Sequence, residues 1–434
     1  MQSIIERLKK HGINTDTFCF APYVNVDLDQ SGEVYSCYRG KDPLSNWKEL
    51  PLDVEFNNEN YRNLRQGLFN GQKSSNCNAC WDAEEHNSAS PRQMFLEQMS
   101  KYSDDTIEEV ISSIKNNPKQ GNINDLIRGE IRTSSLCNLK CLHCGPHSST
   151  QWIAQLKDKE IFDTFKETVG GLDSTITNEN IHEVFKHTLN SISPYTTNIK
   201  KVLSNTKILQ FAGGEPLMDP DHLSWLDYFV NVSKTSKDIS LHYNTNLNIN
   251  NIEKYFEHWK QFNNVIIRIS IDSSPSSYEY FRRGGDIFLI ETNIKKIQKE
   301  FGNKITLQGS ITFNMFAAME WKEITHWWNV HNLDFHTSLV RKHPTSAIYL
   351  PDDIKRECQE EMQWCIDNIY AFVESNLHKE KFIDYTNDCM NYMMNSTKIG
   401  NCMSEKSISY LKMLDRKSNL NMLTYYPRLK EYYK

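Results

Sequence analysis

The chain has 434 residues, 38% of them hydrophobic and 24% charged, enough for two or three domains or for one barrel with an added module. No apolar run approaches the roughly 18 residues of a membrane helix, which excludes a membrane span by this pattern. The formal net charge of -6 disfavours a nucleic-acid partner. The opening Met1 to Lys10 is polar and lacks the apolar stretch of a secretory signal, which predicts a chain kept in the reducing cytoplasm. Its 11 cysteines are then expected as thiolates or ligands, not disulfides.

In chain order, the first feature is Tyr23 to Val34, a stretch that alternates and turns as a β-hairpin, bracketed by Cys19 and Cys37. A short helix around Tyr61 to Leu68, stopped at Gly71, leads to Cys77-Asn78-Ala79-Cys80. A hairpin brings its ends together. Four thiolates from the hairpin and the Cys-x-x-Cys knuckle can enclose either zinc or a 4Fe-4S cluster, and on ligand chemistry alone zinc is the readier occupant. Lys115 to Asn124, with Asn-Asn-Pro and Gln-Gly-Asn, reads as a linker.

Beyond it, six segments read as buried strands: Glu130 to Thr133, Lys207 to Ala212, Ile239 to Tyr243, Val265 to Ile271, Ile305 to Phe313 and Leu333 to Val340. Amphipathic helices lie between them, with faces Leu223/Leu226/Val230, Ile252/Phe256/Trp259, Ile294/Ile297/Phe301 and Trp321/Ile324/Trp328. Such a repeat makes parallel strands with right-handed crossovers, in an open doubly wound sheet or a full or partial barrel. Gln151 to Asn205 is too long for one crossover helix and predicts an extra helix or an insertion. The last hundred residues read as helical, with no chemistry assigned.

Both architectures put reactive groups just after strand C-termini. After the first strand stands Cys137-Asn138-Leu139-Lys140-Cys141-Leu142-His143-Cys144, with three and then two residues between thiols. Three thiolates on one loop suit a cubane with one open iron, which could chelate the amino and carboxylate groups of a small molecule. The alternative is a zinc knuckle completed by His143 or His147. After the second strand comes Phe211-Ala212-Gly213-Gly214-Glu215-Pro216, where the glycines allow close backbone approach and Glu215 can accept from an ammonium group. The third strand ends in Asn244-Thr245-Asn246 and the fourth in Ser270-Ile271-Asp272, small polar groups suited to ribose and carboxylate. In Tyr280-Phe281-Arg282-Arg283-Gly284, Arg283 is taken as the guanidinium for a carboxylate, with Arg282 the other candidate. Thr312 and Asn314 are weaker pocket candidates.

The Cys-x-x-x-Cys-x-x-Cys loop followed by Gly-Gly-Glu-Pro resembles the radical S-adenosylmethionine superfamily. That resemblance implies a partial (β/α)6 TIM-type barrel, a 4Fe-4S cluster on Cys137, Cys141 and Cys144, and S-adenosylmethionine at Gly213, Gly214, Glu215, Asn244, Thr245, Asn246, Ser270, Asp272 and Arg283. His143 would pack against the nucleoside. Asn246 stands where relatives have glycine and is expected to take the same left-handed backbone. The spacing of Cys19, Cys37, Cys77 and Cys80, with Glu84, Glu85, Ser90 and Arg92 after them, resembles the twitch domain, a shortened relative of the SPASM domain, and implies a second, auxiliary 4Fe-4S cluster. Asn87 stands near an expected glycine. The resemblance divides the chain into a twitch-like α+β module at 1–120, a barrel at 125–345 and a helical extension at 346–434.

Implied with it are reductive cleavage of S-adenosylmethionine to a 5′-deoxyadenosyl radical, an electron donor such as flavodoxin or ferredoxin, and two-electron oxidation or cross-linking of a peptide, a protein side chain or a small alcohol. Two other readings stay open: a redox-neutral radical enzyme with a conduit cluster, and a zinc-ribbon interaction protein on an inert barrel. Cys358 and Cys365, seven apart on a helical pattern, could face together; Cys389 and Cys402 have no assigned role.

Overall fold

A computed structural model describes residues 2–85, 90–189, 195–341, 343–369, 376–394, 403–416 and 418–433. Asn87 and Cys402 lie outside the described residues. The strands are β1 (Asn25–Leu28), β2 (Glu33–Tyr35), β3 (Ser45–Asn46), β4 (Arg128–Arg132), β5 (Lys140–Cys141), β6 (Ile208–Ala212), β7 (Ser240–Thr245), β8 (Asn264–Ser270), β9 (Arg282–Arg283), β10 (Ile305–Phe313) and β11 (Asp334–Leu339). Among the described residues, nine form one sheet in the order β11-β10-β8-β7-β6-β4-β1-β2-β3, and β5 pairs with β9 apart from it.

All six strands expected from periodicity are present, Ile305–Phe313 with the same bounds and the others with ends shifted by at most two residues. The parallel set holds seven, because β1 pairs parallel with β4 through Asn25↔Arg128 to Leu28↔Ile131 while turning back antiparallel into β2. Every residue of β1 is buried, so this arm of the hairpin is an inner strand of the main sheet. On β8 and β10 the apolar positions Val265, Ile267, Ile269, Leu307 and Ile311 are buried, whereas Arg268, Ser270, Gln308 and Ser310 are only partly so. One face therefore packs under helices and the other carries polar side chains.

The helical faces read from spacing point inward: Ile294, Ile297 and Phe301 of Ile287–Phe301 are buried, as are Trp321, Ile324 and Trp328 of Trp321–Val330. The expected linker is shorter than Lys115 to Asn124. The helix Asp104–Asn116 runs into it, held by buried Ile107, Val110, Ile111 and Ile114, and a turn at Ile123–Asp125 ends it. The insertion carries the helices Thr150–Gln155, Lys159–Thr168, Ile181–Phe185 and Thr196–Leu203. In the C-terminal region, Asp352–Asp367 packs on Trp321–Val330, Asn376–Met394 on β11, and Glu405–Arg416 on Lys159–Thr168. Among the described residues no helix is long and apolar enough to cross a membrane.

Candidate functional site: two groups of buried thiols

Cys137 and Cys141 form one buried cluster with Leu139 beyond the C-terminal end of β4, and the partly buried Cys144 packs against it. The loop that carries them is tied down at almost every turn. Thr150 Oγ1 donates to the carbonyl of Cys137 at 3.1 Å, Ser149 Oγ to that of Leu139 at 2.6 Å, and Trp152 Nε1 to that of Cys141 at 3.0 Å. Tyr410, from the C-terminal helix, donates to the carbonyl of Leu142 at 2.7 Å. Two N–H groups aim at the first thiol: the Leu139 amide at 3.4 Å and Asn246 Nδ2 at 3.7 Å from Cys137 Sγ.

β5 is the middle of this loop, and its antiparallel pairing with β9 sets Lys140 opposite Arg283 and Cys141 opposite Arg282. Neighbouring strand residues point to opposite faces, so only one of the two arginines can turn to the thiols. It is Arg282, whose Nη1 donates to Cys141 Sγ at 3.5 Å and whose Nη2 pairs with the fully buried Asp272. Arg283 faces away, donating to the carbonyl of Leu414 at 3.0 Å and pairing with Asp415 at 3.5 Å. The alternation in Arg282-Arg283 carried this signal, but the pairing that fixes its phase joins segments far apart in sequence.

The Gly213-Gly214-Glu215 turn is hydrogen-bonded to the cysteine loop: the Gly214 amide donates to Ser134 O at 2.9 Å and the Glu215 amide to Leu136 O at 2.7 Å. Gly213 has φ +119°, and a Cβ on Gly214 would stand 2.3 Å from Leu136 O. Both glycines are thus demanded by the contact between the two loops. Glu215 is buried, accepting from Thr245 Oγ1 at 2.7 Å, the Asn246 amide at 2.6 Å and the Leu217 amide at 3.1 Å. Burial pushes its carboxyl up to about 7, against those hydrogen bonds and Arg282, which lower it.

The left-handed residue in this region is Leu247, at φ +53°, and not Asn246. Asn246 instead spends its side chain on Cys137 Sγ, on Asn138 Oδ1 at 3.0 Å and on the Asn248 amide at 2.7 Å. Asn244 and Ser270 are partly exposed on the polar face of the sheet. Asp272 Oδ1 accepts from the Thr312 amide at 2.7 Å, and Asn314 caps the helix Met315–Met319, accepting from the Phe316 amide at 2.8 Å. His143 stacks on Phe281 with centroids 5.2 Å apart, and its Nε2 stands 3.8 Å from Asp272. Burial lowers its pKa, so it is neutral near pH 7.

Burial and its neighbour Cys141 push the Cys137 thiol up to about 12. Cys144 is raised by its hydrogen bond with Cys141 and by burial, and Cys141 is lowered by the same bond and by Arg282. Four buried polar atoms in this region have no partner: His143 Nδ1, Ser273 Oγ, Tyr278 OH and Arg282 Nε. Tyr278 belongs to the site, since Arg282, Cys141, Asp272 and Glu215 all act on its hydroxyl. Buried donors without partners beside three thiols fit a ligand there that accepts hydrogen bonds. Tyr278 and Tyr410 were not legible as site residues; each is one aromatic among 20 tyrosines.

Cys19, Cys37, Cys77 and Cys80 form the second group. Cys19 precedes β1 and Cys37 follows β2, so both stand at the N-terminal end of β1; Cys77 and Cys80 are brought there by the turn Ser75–Cys77 and the helix Asn78–Glu85. Asn76 Oδ1 holds that turn to the segment after Cys37, accepting from the amides of Lys41 at 2.5 Å and Asp42 at 2.8 Å. Burial raises Cys19 well above the thiol range, with Cys37, Cys77 and Cys80 each adding to it. Cys37 and Cys77 go up to about 12, first through burial and then through the other thiols. Glu84, Ser90 and Arg92 form a clamp: Arg92 Nε and Nη2 reach the two Glu84 oxygens at 2.9 and 2.5 Å, and Nη1 donates to Thr15 O at 2.9 Å. Glu85 lies outside it, 3.5 Å from Lys73 at the surface.

Among the described residues, no group of three or more His, Cys, Asp or Glu is closed tightly enough to hold a single metal ion. Cys358 and Cys365 are both buried on one helix, and burial is the main cause that raises each thiol. Cys389 is buried against Thr337 of β11.

No family model matches the chain, and no curated protein matches it. Among solved structures, native anSMEcpe with bound AdoMet and Cp18Cys peptide overlaps 56% of this chain and 61% of its own, at 16% identity and a TM-score of 0.36. Streptococcus suis SuiB bound to S-adenosylmethionine overlaps 65% and 52%, at 12% identity and a TM-score of 0.34. SuiB bound to precursor peptide SuiA overlaps 64% and 58%, at 13% identity and a TM-score of 0.34. The matched part spans about three-fifths of those proteins or less. Overlaps of this quality do not bear on what the chain binds or does.

Proposed function

We propose that the protein is a radical S-adenosylmethionine enzyme built on a partial barrel, with a twitch-like module at its N-terminal end. The observation that carries this reading is the pair of buried thiol groups at opposite ends of the parallel strands. Cys137, Cys141 and Cys144 follow the C-terminus of β4, and Cys19, Cys37, Cys77 and Cys80 gather at the N-terminus of β1, its parallel neighbour. A five-residue strand separates the two levels by roughly 15 Å. Three thiols would hold a 4Fe-4S cluster with one open iron, and four would enclose an auxiliary cluster.

A cluster held by Cys137, Cys141 and Cys144 and given one electron by an external donor would, with S-adenosylmethionine bound, supply radical hydrogen-abstraction chemistry, releasing methionine. The chain's own residues position that chemistry. Glu215 offers a desolvated carboxylate to the ammonium group of the ligand, and Thr245 and the Asn246 amide hold it in place. Arg282, beside Cys141, is the guanidinium available to balance the thiolates, and its pairing with Asp272 fixes its direction. His143, neutral and stacked on Phe281, presents an aromatic surface suited to an adenine ring. The four-cysteine group, lacking an open coordination site, suits electron transfer, and with it a two-electron oxidation or cross-linking.

The test is anaerobic reconstitution, followed by reductant and S-adenosylmethionine. About eight irons per chain and release of 5′-deoxyadenosine are expected. The Cys137/Cys141/Cys144 triple alanine variant should keep about four irons and release none. A colourless protein carrying one or two zinc ions when purified without oxygen would sink the reading.

A further inference from the structure

The face of the sheet opposite Ile287–Phe301 and Trp321–Val330 is polar over several strands, and at β11 the helix Asn376–Met394 reaches it through Lys381 and Tyr385. Asn244 of β7, Arg268 of β8, Gln308 of β10 and Asp334 of β11 lie in register. Toward the strand N-termini the next level carries Glu130, Gln210 and His242, and toward the C-termini Ser270, Ser310 and His336. Side chains meet over this face. Arg268 Nη1 donates to Gln210 Oε1 at 3.2 Å, passing over β7, and Arg268 Nε donates to Gln308 Oε1 at 3.0 Å.

The charges on this face are unevenly matched. Arg132 is held by Asp27 at 2.9 Å and Glu130 at 2.8 Å, Arg128 has Glu130 at 3.4 Å, and Asp334 has Lys381 at 3.5 Å. Arg268 is bound only to neutral amides; among the described residues no carboxylate lies within ion-pair distance of it. One of those amides is shared, since Arg128 Nη2 donates to the same Gln210 oxygen at 2.5 Å. Burial and the nearby Arg128 pull Arg268 down to about 10, against Glu130, Tyr385 and Tyr38, which raise it from beyond ion-pair distance. His242 and His336, neutral through burial, supply none, and His242 Nδ1 is buried without a partner.

Resting on the reading given under Proposed function, we propose that this face binds the substrate and that Arg268 anchors a carboxylate of it. Arg268 is two residues before Ser270, the end of β8, and a strand rises about 3.3 Å per residue. The anchored carboxylate would then sit roughly 7 to 10 Å from the end of the sheet where the three-cysteine loop stands. That span matches the carboxylate of an acidic side chain, or of a chain terminus, on a peptide whose reacting carbon is a few bonds away.

Calorimetry on the reconstituted protein with S-adenosylmethionine tests this with two probe pairs: Ac-Gly-Glu-Gly-NH2 against Ac-Gly-Gln-Gly-NH2, and Ac-Gly-Gly-OH against Ac-Gly-Gly-NH2. One carboxylate probe should bind about tenfold tighter than its amide, and the pair that responds identifies the source of the carboxylate. The preference should vanish in Arg268→Gln and persist, weakened, in Arg268→Lys. Gln308→Glu, which gives Arg268 an internal carboxylate without removing it, should abolish the preference as well. Equal binding of both pairs, no binding of any probe, or a preference that survives Arg268→Gln and Gln308→Glu overturns the inference. Iron content and 5′-deoxyadenosine release, measured on the same preparations without probe, report separately on the reading beneath it.

Discussion

Tyr410 donates a hydrogen bond to the carbonyl of Leu142 at 2.7 Å, joining residues 268 positions apart. Leu142 lies between Cys141 and Cys144, so the C-terminal helix Glu405–Arg416 helps to fix the thiol loop. The tyrosine is buried, with its ring edge-on to His343 at 5.3 Å and tilted against Phe165 at 6.4 Å.

Tyr410→Phe keeps the ring and leaves the Leu142 carbonyl without this donor, at a cost of about 1 to 3 kcal/mol. The melting temperature should fall by a few degrees. Iron bound through Cys137, Cys141 and Cys144 should be stripped faster by a chelator. An unchanged melting curve together with unchanged stripping would mean that other contacts hold the loop.

Glu215 gives a pH dependence with the opposite sign to that of a salt-bridged carboxylate. Its folded pKa of about 7 lies above the ordinary value of 4.5, so the folded state binds the proton more tightly. The stability that this group contributes is fully present below pH 4.5 and is lost as pH rises through 7. The loss amounts to about 3 kcal/mol at most. Asp27, raised to about 7 by burial, titrates in the same window, so the reading must be a difference between proteins. Glu215→Gln should flatten the decline of urea-unfolding stability between pH 5 and 7.5 by the Glu215 share. If the two proteins give parallel stability curves, the carboxyl is not raised. In the presence of S-adenosylmethionine the wild-type protein should bind more tightly above pH 7, where the carboxylate is ionised, and the variant should not.

Much of this site could be read in the sequence, because its parts sit where strand periodicity stops. Cys137 follows β4, Gly213 follows β6 and Asp272 follows β8, and each strand was legible from its apolar pattern. What could not be read depended on pairing between distant segments. The phase of Arg282 and Arg283 is set by β5 and β9, two-residue strands too short to leave a pattern. The membership of β1 in the main sheet rests on its register with β4, about a hundred residues away, and local alternation shows only the hairpin. The left-handed residue fell at Leu247, one place beyond Asn246, because the Asn246 amide is committed to Glu215 and its side chain to Cys137.

Arg282 and Arg283 should therefore separate cleanly. Arg282→Gln leaves the fully buried Asp272 without its counter-charge, which costs about 3 to 5 kcal/mol. Weak retention of iron at the three-cysteine loop should accompany it. Arg283→Gln breaks the bonds to Leu414 and Asp415, so it should spare the loop and loosen the C-terminal helix. Limited proteolysis reads the second effect as faster cleavage near residues 405–416, and iron analysis reads the first. The reverse pattern, with iron lost from the Arg283 variant alone, would exchange the two roles.

The four-cysteine group offers the sharpest division between structural and electronic roles. Its thiols are all raised by burial, and most by one another, so a chain that kept them there without a metal would hold neutral thiols at pH 7. Replacing Cys77 and Cys80 by Ala removes half the group and leaves Asn76, which ties the knuckle to Lys41 and Asp42. The variant should lose about four of eight irons while keeping the loop of Cys137 intact. Because losing metal from this group would also loosen the hairpin that feeds β1 into the sheet, circular dichroism and a melting curve must first establish that the fold survives. A folded variant that still releases 5′-deoxyadenosine but forms little oxidised product supports electron acceptance by this end of the molecule. Oxidation at the wild-type rate in a folded variant with four irons would make the group structural, and the second electron would have to leave by another route.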